Sequence, residues 1–205
     1  MKKYELTSET KIVFGHILYR IKALSSFGCV SAGDLGGFLE SEKNLSQNGN
    51  AWVSGNAEVY GNAEVYGNAE VSGNAEVYGN AEVYGNAEVS GNARVSGNAE
   101  VSGNARVSGN AWVSGDAWVS GNAEVSEIGA IFWIGAIGSR NDTATFFRCR
   151  DGSIKVVCGC FFGNLDEFAK KVRKTHGDND HAKVYMLAIE MAKIRIGDKK
   201  EKTEE

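Results

Sequence analysis

The feature that most constrains the fold is a six-residue unit, G-N-A-x-V-x, which repeats without a gap through the middle of the chain. Within each unit, alanine and valine alternate with polar residues, which is the period-two pattern of a strand with one buried face. Gly-Asn tolerates the left-handed backbone conformations of a corner. Each hexad therefore predicts one short strand and one bend. The thirteen copies place their valines at Val53, Val59, Val65, Val71, Val77, Val83, Val89, Val95, Val101, Val107, Val113, Val119 and Val125.

A second period, of eighteen residues, predicts how the hexads stack. The residues that follow the valines repeat as serine, tyrosine, tyrosine from Ser54 to Ser90. Three hexads per turn make a triangular prism. Tyr60 should then lie over Tyr78, and Tyr66 over Tyr84, at the inter-strand spacing of about 4.8 Å.

The inward positions can be followed beyond the regular hexads in both directions. Residues 27–138 are therefore predicted to form an all-β solenoid of about six turns, preceded by an N-terminal cap over residues 1–26. The extrapolated inward residues are Leu45, Leu39, Leu35, Gly33, Cys29 and Phe27 on one side, and Gly129, Ile131, Gly135 and Ile137 on the other.

The pattern changes over residues 139–197, which predict a small α+β unit docked on the prism end. Residues 143–157 predict a hairpin around Asp151-Gly152, and Asn164 with Glu167 predicts a capped helix over 165–174. A second helix is predicted over 180–195. Residues 198–205 are predicted to be a frayed, charged tail. The predicted apolar face of the second helix comprises Val184, Leu187, Ala188 and Met191.

Composition and charge narrow the functional class. No apolar stretch has the length of a membrane span, and the N-terminus lacks the apolar core of a signal peptide. We therefore expect a cytoplasmic protein, with no membrane partner and four reduced cysteines. Between residues 49 and 126, nine acidic residues face two arginines, whereas residues 139–205 carry fourteen basic and eleven acidic residues. This distribution does not favour a general nucleic-acid binder.

The repeat V-x-G-N-A-x is similar to that of the hexapeptide-repeat, left-handed β-helix proteins. Residues 33–38, followed by NLSQ and GNAWV, resemble the N-terminal cap of YdcK-like hexapeptide proteins. The later motifs IGSRNDTATFF, CGCF, LDEF and THGDN resemble a group of proteins of Firmicute phages and mobile elements. The resemblance covers nearly the whole chain. It implies a left-handed coil, a bacterial host cell and a homo-oligomer, with a trimer favoured, but no activity.

Many hexapeptide-repeat proteins are acyltransferases with a histidine base between prisms, and others are γ-class carbonic anhydrases with three zinc-binding histidines. Here His16, His176 and His181 all lie outside the hexads, and no loop interrupts the hexads. An enzyme is therefore not the favoured prediction, and no cofactor is predicted. A hexapeptide acyltransferase stays open as an alternative.

The C-terminal unit holds the candidates for site chemistry. Cys158, Cys160, His176 and His181 are weak zinc candidates, because C-x-C and H-x4-H are not typical zinc spacings. Burial of both cysteines on one strand face is the simpler explanation. A nucleophilic cysteine with His176 as base is a further alternative.

A polar pocket at the prism end is a second candidate, although helix capping around an interhelical turn is the simpler interpretation. Its predicted members are Arg140, Asn141, Asp142, His176, Asp178 and Asn179.

Outward-facing tryptophans are the predicted partner or subunit contact. In this register Trp52, Trp112 and Trp118 point away from the coil, the last two on different sides. Trp133 and Phe132 follow near the same end. Tryptophan is enriched at protein interfaces.

The outward residues before the valines are mostly glutamates, which should stack in ladders interrupted by Arg94 and Arg106. A solvated surface that resists aggregation is the simpler interpretation, and a rod of carboxylates that mimics DNA is the alternative. Taken together, we predict a non-catalytic binding or scaffold protein of a phage or mobile element. It would inhibit or sequester a host defence component through its C-terminal end, with a host protein or a small ligand as partner.

Overall fold

The structure, a computed structural model, describes residues 2–197; the predicted frayed tail at 198–205 lies outside these residues. The chain begins with a hairpin of β1 (Tyr4–Val13) and β2 (His16–Ala23), which turns at Phe14-Gly15. Strand β2 pairs antiparallel with β3 (Leu35–Leu39). The predicted cap is therefore a hairpin that continues one side of the solenoid.

The repeats form a parallel β-solenoid of three sheets, which confirms the predicted fold class. Leu39 pairs in parallel with Val59, and Leu45 with Val65. With these two positions the thirteen hexads make about five turns, one fewer than predicted. The hexad strands are β4 (Trp52–Val53), β5 (Glu58–Val59), β6 (Glu64–Val65), β7 (Glu70–Val71), β8 (Glu76–Val77), β9 (Glu82–Val83), β10 (Glu88–Val89), β11 (Arg94–Val95), β12 (Glu100–Val101), β13 (Arg106–Val107), β14 (Trp112–Val113), β15 (Trp118–Val119) and β16 (Glu124–Val125).

Each hexad strand pairs with the hexad strand eighteen residues away, and β3 pairs with β5 at a separation of twenty residues. The three sides are therefore β3-β5-β8-β11-β14, β4-β7-β10-β13-β16 and β6-β9-β12-β15. The hexad alanines and valines are at most 1% exposed and form one continuous core. Burial of each valine stabilises the fold by about 1.5 kcal/mol. The corners need glycine: Gly85 has φ +72°, and a Cβ there would lie 3.0 Å from the backbone nitrogen of Gly103.

The inward register does not extend as far as predicted on the N-terminal side. Phe27 and Val30 pair antiparallel with each other instead of joining the rungs. Cys29 is exposed, Leu35 is 53% exposed, and Gly33 lies at a corner with φ +97°. The physical reason is that β2 occupies the edge of β3, so the chain before Leu35 has no parallel neighbour to pair with.

The extrapolation also fails after the last hexad. A short 3-10 turn (Ile128–Ala130) is followed by β17 (Ile131–Ile137), which pairs antiparallel with β18 (Asp142–Arg148). Ile131 does pack on the solenoid core, and Ile137 is buried in the separate core of the C-terminal unit. Gly129 lies in the 3-10 turn and Gly135 is exposed, so neither occupies a rung.

The C-terminal unit is a four-stranded antiparallel sheet covered by two helices. The predicted hairpin is confirmed as β18 and β19 (Ile154–Cys158), and β20 (Phe161–Asn164) completes the order β17-β18-β19-β20. Helix α1 (Leu165–His176) begins at the predicted capping box: Glu167 N donates to Asn164 Oδ1 at 2.8 Å. Helix α2 (Asp180–Ile196) follows.

The unit docks directly on the last turn of the solenoid. Ala123 pairs with Cys149, and Trp118 N donates to Thr145 Oγ1 at 3.0 Å. Arg150 donates to the carbonyl oxygen of Asn104 at 2.9 Å. The β18 strand and its turn thus cover the open edge of the prism, which would otherwise present unpaired backbone groups.

The predicted face of α2 is wrong except for Ala188. The helix buries Tyr185, Ala188, Ile189 and Ala192 against the sheet. Apolar residues surround most of α2, so its amphipathic pattern is weak and only packing selects the buried face. Within residues 2–197, neither helix combines the length and apolarity needed to cross a membrane. The residues left exposed include Val184, Leu187 and Met191 of the predicted face.

Candidate functional site

The outward side chains of the solenoid are occupied largely with one another. Tyr60 stacks on Tyr78 with ring centroids 5.2 Å apart, and Tyr66 on Tyr84 at 5.0 Å, as predicted. Tyr66 also donates to Glu82 at 2.7 Å; burial and this hydrogen bond raise the pKa of Tyr66. These ladders therefore act mainly within the solenoid.

Asparagine ladders at the corners are a further self-pairing feature that the sequence analysis missed. Asn62 Nδ2 donates to Asn80 Oδ1 at 3.1 Å, and Asn80 donates to Asn98 at 2.9 Å. The signal was present, because asparagine recurs in the same hexad position every eighteen residues.

The acidic ladders pair in the predicted register. Glu88 lies between Glu70 and Arg106, and Arg106 approaches Glu88 at 2.9 Å. Arg94 pairs with Glu76 at 3.2 Å. Each of these arginines neutralises part of an acidic row, which weakens a resemblance to the continuous phosphates of DNA.

The tryptophans do not form a single patch. Trp52 points outward from the coil as predicted but is only 8% exposed, because Tyr4 and Phe27 of the N-terminal region pack against it edge-on. Trp112 and Trp118 are 46% and 38% exposed on different sheets. Each donates its indole N–H to a serine one turn earlier, Ser96 and Ser102 respectively.

Trp133 belongs to a different surface, on the C-terminal unit. It lines a groove of about 460 Å³ together with Phe132, Met191 and Ile194. The groove adjoins an exposed apolar row on α2, which we call the α2 seam: Val184, Leu187, Met191 and Ile194, 42–84% exposed.

The spacing of the α2 seam is three, four and three residues, which is the a/d spacing of a helix that packs against another helix. A second groove, of about 530 Å³, borders the seam near Leu187 and Met186 and includes Arg173, Lys183 and Asp178. The predicted binding residues Trp133 and Asp178 thus lie in grooves on either side of one apolar helix row.

Arg140 and His176, both predicted pocket residues, do meet in a cleft of about 430 Å³. Cys158 and Cys160 line the same cleft, as do Tyr185 and Lys171, which the sequence analysis missed. Tyr185 OH lies 3.7 Å from Cys158 Sγ. Burial raises the pKa of Tyr185 to about 12 and also raises the pKa of the Cys158 thiol.

The other predicted pocket residues are placed elsewhere. Asn179 caps α2, accepting from Ala182 N at 3.1 Å, which supports the capping interpretation for that residue. Asn141 occupies a turn with φ +51°. Asp142 lines a hollow of about 410 Å³ with Trp118 and Thr145. The six residues therefore do not form one pocket.

The arrangement of cysteines and histidines gives little support to metal or nucleophile chemistry. Among residues 2–197, no group of three or more histidine, cysteine, aspartate or glutamate side chains is placed to hold a metal ion. A raised thiol pKa at Cys158 opposes thiolate formation, which a nucleophile needs. His16 lies in the N-terminal hairpin, where its Nδ1 is 2.9 Å from Glu40 Oε1.

A family model described as YdcK Beta solenoid repeat matches residues 87–103 and 99–115. No curated protein matches the sequence. Both matched segments lie within the hexad strands of the observed coil, so the protein is a parallel β-solenoid with a C-terminal α+β unit, and its repeats are similar to the YdcK repeat.

Proposed function

We propose that this chain is a non-catalytic binding protein. Its solenoid serves as a rigid spacer, and the α2 seam binds an amphipathic helix of a partner protein. The exposed apolar row on α2 is the observation that carries the proposal. Soluble domains seldom leave such rows uncovered unless they contact another molecule.

The chemistry of the surface favours a helix as the occupant. Seam residues at a/d spacing accept knobs from a facing helix, and the grooves on both sides give room for larger side chains. Residues 198–205, DKKEKTEE, contain no apolar side chain of the kind that a/d positions bury.

Charge narrows the occupant further. Residues 139–197 carry eleven basic and seven acidic residues. Arg195 lines the Trp133 groove, which has no acidic lining residue, whereas the second groove has both basic and acidic ones, namely Arg173, Lys183, Asp178 and Glu190. An amphipathic helix with an acidic flank on the Arg195 side would therefore complement this surface.

The resemblance to phage and mobile-element proteins makes a host protein, including a defence component in the bacterial cytoplasm, the class of partner to test first. Inhibition or sequestration of that component would be the outcome of binding. Assembly of the solenoids into a homotrimer is a second part of the proposal, based on the same resemblance.

The test compares the wild type with Leu187→Asp/Ile194→Asp in pull-downs from host lysates, followed by titration of any recovered protein in purified form. Loss of two seam contacts should weaken binding at least about 30-fold. Ile12→Asp is the matched control, because Ile12 is 75% exposed on the N-terminal hairpin.

Equal recovery by the wild type and the double variant would refute the seam as the binding surface. Native mass spectrometry of the same proteins tests the alternative that the seam binds a second copy of this chain. If the double variant changes the number of subunits, the seam joins copies of this chain and the host-partner proposal fails.

A further inference from the structure

The cleft between α1, α2 and the sheet has a composition that the helix-binding proposal does not use. Its floor is formed by buried Phe168, Val172 and Tyr185, with half-buried Phe161 beside them. Its volume of about 430 Å³ falls in the range of small-molecule sites. The cleft therefore has room for a compact ligand with a flat, apolar body.

Positive charge surrounds the mouth of this cleft. Arg140 and Lys171 are exposed and line the cleft. His176 lines it too, with its ring centroid 5.9 Å from that of Tyr185. None of the lining residues carries a carboxylate. A Cβ on Gly159 would lie 3.0 Å from Arg140 Nη2 and 3.3 Å from Asp142 Oδ2, so the Asp142 carboxylate is near the Arg140 guanidinium, and Asp142 also lines the neighbouring hollow.

These basic groups are not used by the fold. Across residues 2–197, neither the Arg140 guanidinium nor the Lys171 amine forms an ion pair with a described residue, in contrast to Arg94, Arg106 and Arg148. The imidazole of His176 lies against the rings of His181 and Tyr185. Two unpaired cations over an apolar floor are a typical arrangement for a bound anion.

We propose that this cleft binds a small aromatic anion, whose ring packs against Phe161 and Tyr185 while its phosphate, sulfonate or carboxylate group meets Arg140 and Lys171. The Tyr185 hydroxyl, 3.7 Å from Cys158 and 3.5 Å from the Ile137 carbonyl oxygen, supplies a polar group on the floor.

The proposed site is independent of the α2 seam. Tyr185 projects from the buried face of α2 into the cleft, whereas Leu187, Met191 and Ile194 project from its exposed face. A ligand in the cleft and a helix on the seam can therefore be tested separately.

The test uses 8-anilino-1-naphthalenesulfonate as the probe and titrates it into the full chain by fluorescence. N-phenyl-1-naphthylamine, which has the same rings without the sulfonate, is the uncharged control. Arg140→Gln/Lys171→Gln should weaken binding of the anionic probe about tenfold, since charge-assisted hydrogen bonds are lost. Arg195→Gln, in the Trp133 groove, should change it less than twofold.

Three results would overturn the proposal. The first is that the Arg140→Gln/Lys171→Gln variant binds the anionic probe with unchanged affinity, while its circular dichroism spectrum shows that it folds like the wild type. The second is an equal loss in Arg195→Gln, which would place the probe in the other groove. The third is that inorganic phosphate displaces the probe at the same concentration as an aromatic phosphate does. That result would show a site that recognises the anion but not the ring.

Discussion

The solenoid and the C-terminal unit use their outward side chains in different ways. On the solenoid, a side chain commonly contacts its own equivalent eighteen residues away, as Tyr66 contacts Tyr84 and Asn62 contacts Asn80. On the C-terminal unit, Leu187 and Ile194 are exposed, and Arg140 forms no ion pair with a described residue. In a repeated segment, outward side chains can bind their equivalents on neighbouring turns. In a segment that occurs once, they have no such equivalents and are left available for another molecule.

Core substitutions in the repeat should have the largest effect. Val71→Asn buries an amide among alanines and valines and should lower the free energy of unfolding by at least about 3 kcal/mol. The adjacent Glu70→Asn, on the exposed face, should change it by less than about 0.5 kcal/mol. Urea unfolding followed by circular dichroism measures both. Similar losses in the two variants would contradict the one-faced strand.

Glycine-to-alanine substitutions at corners should have the second largest effect, and it should differ between the solenoid and the C-terminal unit. Gly85→Ala places a methyl group 3.0 Å from the backbone of Gly103 and should cost about 2–3 kcal/mol. Gly152 also has a positive φ, +79°, but a Cβ there meets no atom within 4 Å. Gly152→Ala should therefore cost only about 1 kcal/mol. Thermal unfolding of both variants checks whether stacking of the corners adds to backbone strain.

Two arginines provide a smaller test. Arg148 is 16% exposed at its side chain and donates to the carbonyl oxygens of Ile196 and Gly197 at the end of α2. Arg148→Gln should cost about 1.5–2 kcal/mol. Arg94 pairs with Glu76 on the open solenoid surface at 54% exposure, so Arg94→Gln should cost less than about 0.5 kcal/mol. Equal losses in urea unfolding would show that the surface ladder matters more than we expect.

Tyrosine ionisation should show the smallest effect near neutral pH. Burial raises the pKa of both Tyr60 and Tyr185 to about 12, above the ordinary value of 10. The unfolded chain then loses these protons first, so their contribution to stability is complete below pH 10 and is lost as pH rises towards 12. Absorbance at 295 nm should show one fewer late-titrating tyrosine in Tyr60→Phe and in Tyr185→Phe. If a variant instead loses an absorbance transition near pH 10, the substituted tyrosine is not buried as the structure shows.

Prediction from the sequence succeeded where structure is local or periodic. The hexads, the tyrosine stacks, the Asp151-Gly152 hairpin and the Asn164 cap depend on neighbours at fixed spacing. It failed at the ends of the solenoid, because whether Leu35 joins a rung depends on the hairpin that pairs with β3. Prediction of the buried face of α2 failed because apolar residues lie on two faces of this helix, and either face could pack on the sheet.

The sequence by itself determined the prism, since each hexad finds its strand partner in a hexad with the same inward alanine and valine eighteen residues away. It also placed the histidines outside the repeats. Only the tertiary structure decided that Arg140 and His176 share a cleft from which Asp142 and Asp178 are absent. It alone also decided that Tyr185 is buried while Leu187 is exposed. These residues belong to segments that occur once, and their contacts depend on how a sheet and two helices pack together rather than on any period in the chain.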